Sequence, residues 1–431
     1  MGQPKIVLIG AGSAVFARRL VKDLIDMPAL QECHLVLVDI DAERLDLVYE
    51  LGLRLIRENN STIRLSKHTD YKETLAQADF VITTVASGGT EAWLNDVLIP
   101  RKFGYYYAVA DTLGPGGMSR AFRTIPIVLD IASEMEKQCP QALLINYNNP
   151  MTAICRAVAK YTSIQIIGLC HGLWNTVKRL APRLGHTADE ISAWAAGINH
   201  FIWLTELTSR RTGEDLYPRL RERAATHFSE QPVAYDLLNL YGLFPSGGDD
   251  HLVEFVPYYT SADTEYGKEF NIELDYVQKT TAYQEREFER LRQLQNTPEA
   301  RVSDFTGGDA ESAAEIIECI VTGRTQIFMA NLPNNGKIPN LMDEGIAEIP
   351  TMVSAKQISG VQVEPLPHAV TAQLQNCLWE YELVVDAAVK GDKTLALQAL
   401  LTNPSTNSKK QAQGVLEELL KCHREYMPTF Q

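Results

Sequence analysis

The first hundred residues alternate short aliphatic and β-branched runs with amphipathic helical patterns. The pattern predicts strands over residues 5–9, 34–39 and 80–85, and helices over residues 14–26 and 42–59. Such alternation is typical of a parallel sheet with helices on both faces, because parallel strands need crossover connections that are usually helical. We therefore predict a doubly wound α/β domain at the start of the chain.

The turn after the first predicted strand is Gly10-Ala11-Gly12-Ser13, and Asp39 closes the second predicted strand. In a nucleotide-binding turn the first glycine permits the tight reversal, and the second lets the backbone approach a pyrophosphate at the helix start. A carboxylate at the position of Asp39 can bind the adenosine ribose and would repel a 2′-phosphate. We therefore predict a Rossmann-like NAD site formed by Gly10, Gly12, Ser13 and Asp39.

Two features of this turn depart from the usual dinucleotide pattern. The third glycine position falls on the bulky Val15, and Asp39 lies further along the chain than the usual spacing of about 20 residues. The alternative interpretation is a glycine turn that only connects strand to helix, with Asp39 capping the end of a strand.

The pattern changes near the middle of the 431 residues, a length that suggests two or three domains. Buried parallel strands are predicted at 142–147 and 164–169. After about residue 200, long helical patterns dominate, over residues 284–294, 310–321, 371–389 and 410–424. We predict a Rossmann-like domain over residues 1–195 and a helix-rich α+β domain over residues 196–431.

Charge, apolar runs and cysteines narrow the classes of function. The 40 basic and 54 acidic residues give a net charge of −14 with no visible basic stripe, so a nucleic-acid partner is not expected. No apolar run approaches the roughly 18 residues of a membrane helix. The seven cysteines are scattered without a CxxC pair, which is typical of a reducing compartment. We expect a cytoplasmic protein with neither membrane nor nucleic-acid partners.

Cys170 and His200 are candidate metal ligands. Cys170 follows the strand predicted at 164–169, and His200 ends the segment Gly197-Ile198-Asn199-His200. A thiolate and an imidazole together can bind a divalent transition metal, with positions left open for water and substrate hydroxyls. Each residue, taken alone, could equally be a packed side chain.

Two further segments could carry chemistry. Asp249, Asp250 and His251 follow the flexible Ser246-Gly247-Gly248 turn, which suits either a general base or a simple helix N-cap. Tyr241, just upstream, is equally ambiguous. The glycine-rich segment over residues 111–117 is followed by two arginines and offers either a binding surface or a mobile loop; the arginines are Arg120 and Arg123.

Taken in order, these motifs resemble those of the NAD- and manganese-dependent family 4 glycoside hydrolases. The resemblance runs through most of the chain and includes these segments: Gly10-Ala11-Gly12-Ser13, Asp111-Thr112-Leu113-Gly114-Pro115-Gly116-Gly117, Arg120 with Arg123-Thr124-Ile125-Pro126, Asn149-Pro150, Cys170-His171, Gly197-Ile198-Asn199-His200 and Asn331-Leu332-Pro333-Asn334-Asn335-Gly336. The family is distantly similar in fold to lactate and malate dehydrogenases. The resemblance therefore implies the dehydrogenase-like fold. It also implies that the substrate, metal and oligomerisation sites lie in the second domain, and that the protein is a homodimer or homotetramer.

The resemblance also implies a mechanism that is an exception to the two-carboxylate scheme of most glycosidases. NAD oxidises C3 of the sugar, a base removes the acidified C2 proton, the C1 leaving group departs, water adds, and the ketone is reduced again. Mn²⁺ would act as a Lewis acid on the C2 and C3 oxygens. The matching positions make Cys170 and His200 metal ligands and Asn149 a substrate contact.

The proton-transfer residues are implied less directly. A tyrosine is the base in phosphosugar members of the family, whereas the corresponding region of this chain carries Asp249-Asp250-His251. We therefore prefer Asp250 or Asp249 as the base, with Tyr241 in reserve. His171 is placed to assist protonation of the leaving group.

The residue after the metal cysteine indicates the substrate class. Phosphosugar members carry Asp or Asn there, whereas Cys170-His171-Gly172 is most similar to the α-galacturonidase branch. A sugar carboxylate needs a cationic partner, because an unpaired buried carboxylate is costly, and Arg120 or Arg123 could supply it. We expect an exo-acting enzyme on α-galacturonides or short oligosaccharides.

Four other functions remain open. The chain could be an α-galactosidase or α-glucosidase of the same family. The same dinucleotide fold would also suit a 2-hydroxy-acid dehydrogenase, which would produce NADH in net amounts. A non-enzymatic, NAD-dependent sugar sensor would bind a glycoside without cleaving it.

Overall fold

The computed structural model describes residues 3–13, 16–302 and 312–430. The described strands form a single mixed sheet: β1 (Lys5–Ile9), β2 (His34–Val38), β3 (Arg64–His68), β4 (Phe80–Thr83), β5 (Leu143–Asn146), β6 (Ile166–Gly168), β7 (Ile191–Ile198), β8 (Phe201–Ser209), β9 (Pro245–Ser246), β10 (Gln326–Pro333), β11 (Ile346–Val353) and β12 (Ile358–Gly360).

The helices cover the sheet and build its flanks. They are α1 (Phe16–Asp26), α2 (Ala42–Glu58), α3 (Gly89–Arg101), α4 (Gly114–Gln138), α5 (Met151–Tyr161), α6 (Gly172–Leu184), α7 (Tyr217–His227), α8 (Pro232–Tyr241), α9 (Asp249–Phe255), α10 (Tyr276–Gln295), α11 (Ser312–Thr322), α12 (His368–Lys390), α13 (Lys393–Thr402) and α14 (Lys409–Cys422).

The first half of the sheet is parallel, in the order β3-β2-β1-β4-β5-β6. Side chains of β1 alternate between two hydrophobic cores, with Ile6 and Leu8 on one face and Val7 and Ile9 on the other. Both faces are covered, which explains why the strand is apolar throughout. This strand order is that of a dinucleotide-binding domain, so the predicted doubly wound fold is confirmed.

Most of the predicted elements are present with slightly different ends. The strand predicted at 34–39 ends at Val38, and the helix predicted at 42–59 ends at Glu58. Residues 14, 15, 310 and 311 lie outside the described residues, so neither the helix starts predicted there nor the third glycine position is tested. The prediction missed β3, because this edge strand reads Arg-Leu-Ser-Lys-His and lacks an apolar run.

The second half of the sheet is antiparallel and continues directly from the first. β10 pairs with β6, β11 with β10, β7 with β11, and β8 and β9 follow. The predicted domain boundary between residues 195 and 196 falls inside β7, and the two-domain division stays a prediction. Among the described residues, no helix combines the length and apolarity needed to cross a bilayer.

The topology brings several loops to one edge of the sheet. The carboxyl ends of β2, β1, β4, β5 and β6 lie along one edge because these strands are parallel. The polar segments that follow them therefore share a cleft, as expected for ligand sites in open α/β sheets. The β7–β8 turn and the start of α9 add residues from the antiparallel half.

Candidate active site

The glycine turn after β1 has the geometry of a nucleotide cradle. Gly10 has φ +95°, and a Cβ there would lie 2.6 Å from the backbone carbonyl of Thr84, so a side chain does not fit. The Gly12 N–H donates to Oδ2 of Asp39 at 2.7 Å. The Ser13 hydroxyl accepts the N–H of Phe16 at 3.3 Å, at the start of α1. The structure thus brings the four predicted NAD residues together beside a helix N-terminus.

Three side chains from distant segments meet at the same edge of the sheet, and we call them the triad cluster: Asp111, His200 and His251. Asp111 precedes α4, His200 occupies the β7–β8 turn with φ +62°, and His251 lies in the first turn of α9. Oδ1 of Asp111 lies 3.5 Å from Nδ1 of His251 and 4.0 Å from Nδ1 of His200. The two imidazole centroids are 4.0 Å apart.

The ligand atoms of the triad cluster are buried and unsatisfied. Oδ1 of Asp111 and Nδ1 of both histidines have no hydrogen-bond partner among the described residues. Among the described residues, these three side chains form a group that could hold a metal ion, because their ligand atoms all lie within 4.8 Å of one another. A buried polar atom without a hydrogen bond costs about 1–3 kcal/mol. A ligand that bound all three atoms would therefore stabilise the triad cluster.

Burial and charge shift the pKa values within the triad cluster in opposite directions. Burial and the neighbouring His251 lower the pKa of His200 to about 3, against the influence of Asp111. Although burial lowers the pKa of His251, the carboxylates of Asp111, Glu254 and Asp250 outweigh it and raise that pKa. Burial would raise the pKa of Asp111, but His251, His200 and Arg120 hold it well below its usual range. Asp111 is therefore ionised, and His200 is a neutral imidazole.

Asp111 is held in place from three sides. Nδ2 of Asn149 donates to Oδ2 of Asp111 at 3.0 Å. Arg120 donates from Nε to the carbonyl oxygen of Asn149 at 3.2 Å and lies over the ring of Trp93 at 5.3 Å. Glu254, fully buried on α9, accepts the Thr112 N–H at 2.9 Å and also the Thr112 hydroxyl. The predicted substrate residues Asn149 and Arg120 are thus neighbours of the triad cluster.

Cys170 lies in a second group of polar side chains. Its thiol accepts the Gly172 N–H at 3.3 Å, and burial followed by the charge of Glu348 raises its pKa well above the usual value. Nδ2 of Asn199 and Nδ2 of Asn331 donate to Oε2 of Glu348 at 3.0 and 3.3 Å. His171 faces the ring of Tyr147, with 6.4 Å between centroids. Asn199 precedes His200, so this second group adjoins the triad cluster, although the Cys170 thiol is not a member of the triad cluster.

The two candidate bases have different environments. Asp249 accepts the N–H groups of Val233 and Ala234, both at 3.0 Å, and so caps the first turn of α8. Burial raises its pKa to about 6 although these two bonds oppose the shift. The carboxylate of Asp250 makes no hydrogen bond with a described residue, and burial raises its pKa while His251 opposes the rise.

Arg123 and Tyr241 lie in other surroundings. Nη1 of Arg123 donates to Oδ1 of Asp96 at 2.9 Å, and both side chains are almost completely buried. Nε2 of His423 lies 3.2 Å from the same Asp96 oxygen. Arg123 is therefore committed to an ion pair that joins α3, α4 and the end of α14. Tyr241 packs against Trp203 with 5.3 Å between ring centroids.

Sequence reasoning did not predict Asp111 or His251 as part of a metal site, and it gave Glu254 and Glu348 no role. Asp111 was visible as the first residue of the 111–117 segment, and His251 as the third of three titratable residues after the Gly247-Gly248 turn. Their convergence could not be inferred, because they are 140 positions apart (251 − 111) in the sequence. Glu254 and Glu348 carry no motif.

Comparisons with known proteins agree with this architecture. Residues 5–186 match the model of family 4 glycosyl hydrolases, and residues 195–406 match the model of the C-terminal domain of family 4 glycosyl hydrolases. An α-galactosidase from Bacillus subtilis (strain 168) is 30% identical over 439 residues, covering 99% of each chain. An α-galacturonidase from the same organism is 30% identical over 449 residues, covering 98% of each chain.

Solved structures show the same fold. The 6-phospho-β-glucosidase from Thermotoga maritima, solved with manganese, NAD⁺ and glucose-6-phosphate, matches with a TM-score of 0.83 and 25% identity, covering 98% of this chain and 99% of that one. Malate dehydrogenase from Cryptosporidium parvum matches with a TM-score of 0.53 and 14% identity, covering 90% of this chain and 99% of that one. The expected similarity to malate dehydrogenase in fold is confirmed.

Proposed function

Since the chain belongs to the family 4 glycosyl hydrolases, we propose that it hydrolyses α-galacturonides with NAD and Mn²⁺ as cofactors. The proposed route is oxidation at C3 of the sugar, deprotonation at C2 and elimination at C1, with an exo-acting enzyme releasing galacturonic acid. The main support for a substrate with a carboxylate is Arg120, whose cationic side chain lies beside the triad cluster.

The residues present fit both cofactors. The Gly10 turn leaves no room for a side chain and lies beside Asp39, which supports a pyrophosphate at this turn and a ribose at Asp39. Cys170 and His200 are the family-implied metal ligands, and the unpartnered Nδ1 of His200 is available for that bond. When bound, NAD would supply a reversible hydride acceptor and Mn²⁺ a Lewis acid.

Arg120 supports a substrate with a carboxylate. Its Nε is bonded to the carbonyl oxygen of Asn149, and its terminal nitrogens donate no hydrogen bond to any described residue. A planar guanidinium with free terminal nitrogens can bind a carboxylate through two parallel hydrogen bonds. Arg123, the other candidate, is bonded to Asp96 in the interior. Asn149 would contact the sugar, with its buried Oδ1 still without a partner among the described residues.

Proton transfers are assigned to Asp250 and His171. The Asp250 carboxylate, which makes no hydrogen bond with a described residue, is available to take the C2 proton, and its raised pKa makes it a stronger base than an ordinary aspartate. His171, between Cys170 and the start of α6, would help to protonate the leaving group. Tyr241 remains the second choice for the base.

A panel of aryl glycosides tests the proposal on the wild-type enzyme and on Arg120→Gln. With NAD, Mn²⁺ and a thiol reductant, we expect the α-galacturonide to be cleaved best, the neutral α-galactoside and α-glucoside much more slowly, and 6-phosphoglycosides not at all. In Arg120→Gln we expect KM for the galacturonide to rise about 10- to 100-fold, because a charge-assisted hydrogen bond is worth about 1.5–3 kcal/mol. The neutral galactoside is the control, and its KM should change little.

Two outcomes would redirect the proposal. Equal or better cleavage of the neutral galactoside would make the chain an α-galactosidase, an alternative favoured by the 30% identity to the Bacillus subtilis α-galactosidase. Net NADH formation in proportion to substrate consumed would make it a dehydrogenase, because the proposed route regenerates NAD in every cycle. A homodimer or homotetramer is proposed from the family resemblance and can be checked by light scattering.

A further inference from the structure

We infer that Asp111 and His251 bind the same divalent metal ion as His200, so that the triad cluster supplies three protein ligands. This inference rests on the proposed function, which places a divalent metal at His200. It extends the Cys170–His200 pair that the family resemblance implies, because it assigns two further ligands that the sequence did not single out as metal ligands.

The separations of the ligand atoms suit a single ion. Oxygen and nitrogen ligands lie about 2.0–2.2 Å from a first-row metal, so two of them are about 3 Å apart when adjacent and about 4.3 Å apart when opposite. Oδ1 of Asp111 is 3.5 Å from Nδ1 of His251 and 4.0 Å from Nδ1 of His200. All three atoms lie within 4.8 Å of one another. Small side-chain rotations would therefore bring them to bonding distance.

The burial of these atoms gives a second reason. Asp111 is 6% exposed, and its Oδ1 has no hydrogen-bond partner among the described residues, nor has Nδ1 of either histidine. The carboxylate oxygen and the two ring nitrogens make only long ion-pair contacts with one another, at 3.5 and 4.0 Å, and such contacts offset only part of the cost of burying these atoms. A cation would satisfy all three at once.

The ligand types also select the kind of metal. Two imidazoles and one carboxylate are also the protein ligands of mononuclear iron(II) oxygenases. With Cys170 as a fourth ligand, a six-coordinate ion would keep two positions open, whereas a tetrahedral structural zinc ion would be closed by four protein ligands. The cluster therefore suits a catalytic ion of the manganese or iron(II) type.

The surroundings orient the carboxylate as a ligand. Oδ2 of Asp111 accepts from Asn149 at 3.0 Å, which leaves Oδ1 to face the histidines. Glu254 binds the N–H and hydroxyl of Thr112 and so fixes the backbone beside Asp111. Such outer hydrogen bonds are usual around metal ligands, because they set the direction of the ligand atom.

The first experiment measures Mn²⁺ binding to the NAD-loaded full-length protein by the electron paramagnetic resonance signal of free Mn²⁺. We expect Asp111→Asn and His251→Gln each to weaken Mn²⁺ binding at least tenfold. Asp263→Asn is the matched control, since it removes a carboxylate charge at an exposed position outside the triad cluster, and its Mn²⁺ affinity should stay within about threefold of wild type. Circular dichroism and NAD binding verify that each variant is folded.

The second experiment needs no substitution. Electron spin-echo modulation of Mn²⁺ bound to the wild-type protein counts coordinated imidazole nitrogens, and we expect two. One coordinated imidazole, or Mn²⁺ affinity in Asp111→Asn and His251→Gln equal to that of wild type, would overturn the inference. Equal weakening by Asp263→Asn would also overturn it, because the effect would then be general electrostatics.

These readouts separate the inference from the proposed function. Galacturonide cleavage is measured independently on the wild-type enzyme. If two imidazoles are found but no glycoside is cleaved, the ligand set stands and the substrate proposal is wrong. If galacturonide is cleaved while only one imidazole is found, the proposed function stands and the added ligands are wrong.

Discussion

Asp249 and Asp250 are consecutive residues with opposite surroundings. Asp249 turns toward α8 and accepts two backbone N–H groups, whereas Asp250 faces His251 with no hydrogen bond from the described residues. The reason is the geometry of a helix start, where neighbouring side chains point about 100° apart. The Asp249 carboxylate is thus hydrogen-bonded to the backbone of α8, which is why Asp250 is the one proposed as the base.

We expect Asp250→Asn to lower kcat for the preferred glycoside at least 100-fold, because removing a general base typically costs that much. Binding of NAD and Mn²⁺ should be retained. Asp249→Asn should instead lower the free energy of unfolding by about 1–2 kcal/mol, since an amide can accept only one of the two N–H groups. Steady-state kinetics and urea denaturation of both variants make the comparison. A larger kcat loss in Asp249→Asn than in Asp250→Asn would reverse the assignment.

At the scale of elements, the turn between β9 and α9 determines whether the triad cluster can form. Gly247 lies directly against the β7–β8 turn, and a Cβ there would be 2.1 Å from the carbonyl oxygen of His200. Its φ of +151° is also one that residues with side chains rarely adopt. The absence of a side chain lets the two turns touch, which brings His251 to His200.

We expect Gly247→Ala to lower the free energy of unfolding by more than about 2 kcal/mol, from backbone strain together with the clash. Mn²⁺ affinity should also fall, because the two turns must separate. Gly213→Ala is the matched control: Gly213 has φ +73°, but a Cβ there has no neighbour within 4 Å. The control should lose about 1 kcal/mol from strain alone and keep its Mn²⁺ affinity. Thermal denaturation and metal titration report the two effects, and equal losses in both variants would contradict this account.

At the scale of the whole molecule, buried carboxylates connect elements that are far apart in sequence. Glu380 on α12 accepts the Gly114 N–H at 2.9 Å and Nδ2 of Asn403 at 2.8 Å. It therefore joins the start of α4 to the segment after α13, and α12 also packs against α4 and α13. Burial raises the pKa of Glu380 to about 7 although both bonds oppose the shift.

This raised pKa predicts a pH dependence of stability. The folded protein holds the Glu380 proton more tightly than the unfolded chain, whose glutamate pKa is about 4.5, so the contribution of this residue is present below that pH. This contribution to the free energy of unfolding, on the order of 2–3 kcal/mol, is lost as the pH rises from about 4.5 to about 7. Glu380→Gln has no proton to lose there, so its free energy of unfolding should fall less over that interval.

The measurement is urea denaturation at about pH 5 and about pH 8, with chelator present to remove metal effects. Glu417→Gln, on an exposed position of α14, is the control and should follow the wild-type pH dependence. An identical pH dependence in Glu380→Gln and wild type would show that Glu380 is ionised in the folded protein throughout.

The amino-acid sequence by itself predicted the parallel half of the sheet and the nucleotide turn. Apolar runs, helical periodicity and the Gly10–Ser13 turn are local features, and local features determine strand, helix and turn type within a few residues. The edge strand β3 was missed because its exposed position removes the apolar run that would mark it. Ordered motifs also identified the family, and they predicted roles for Asn149 and the Cys170-His171 segment.

Only the tertiary structure decided which polar residues meet. Arg120 and Arg123 are one helical turn apart, yet one lies beside Asp111 and the other is paired with Asp96 in the interior. The same holds for Asp249 and Asp250, and for the approach of Asp111 to His200 and His251. The physical reason is that a side chain's partners are set by the packing of distant segments, including the close contact at Gly247, and these distances are absent from any local pattern.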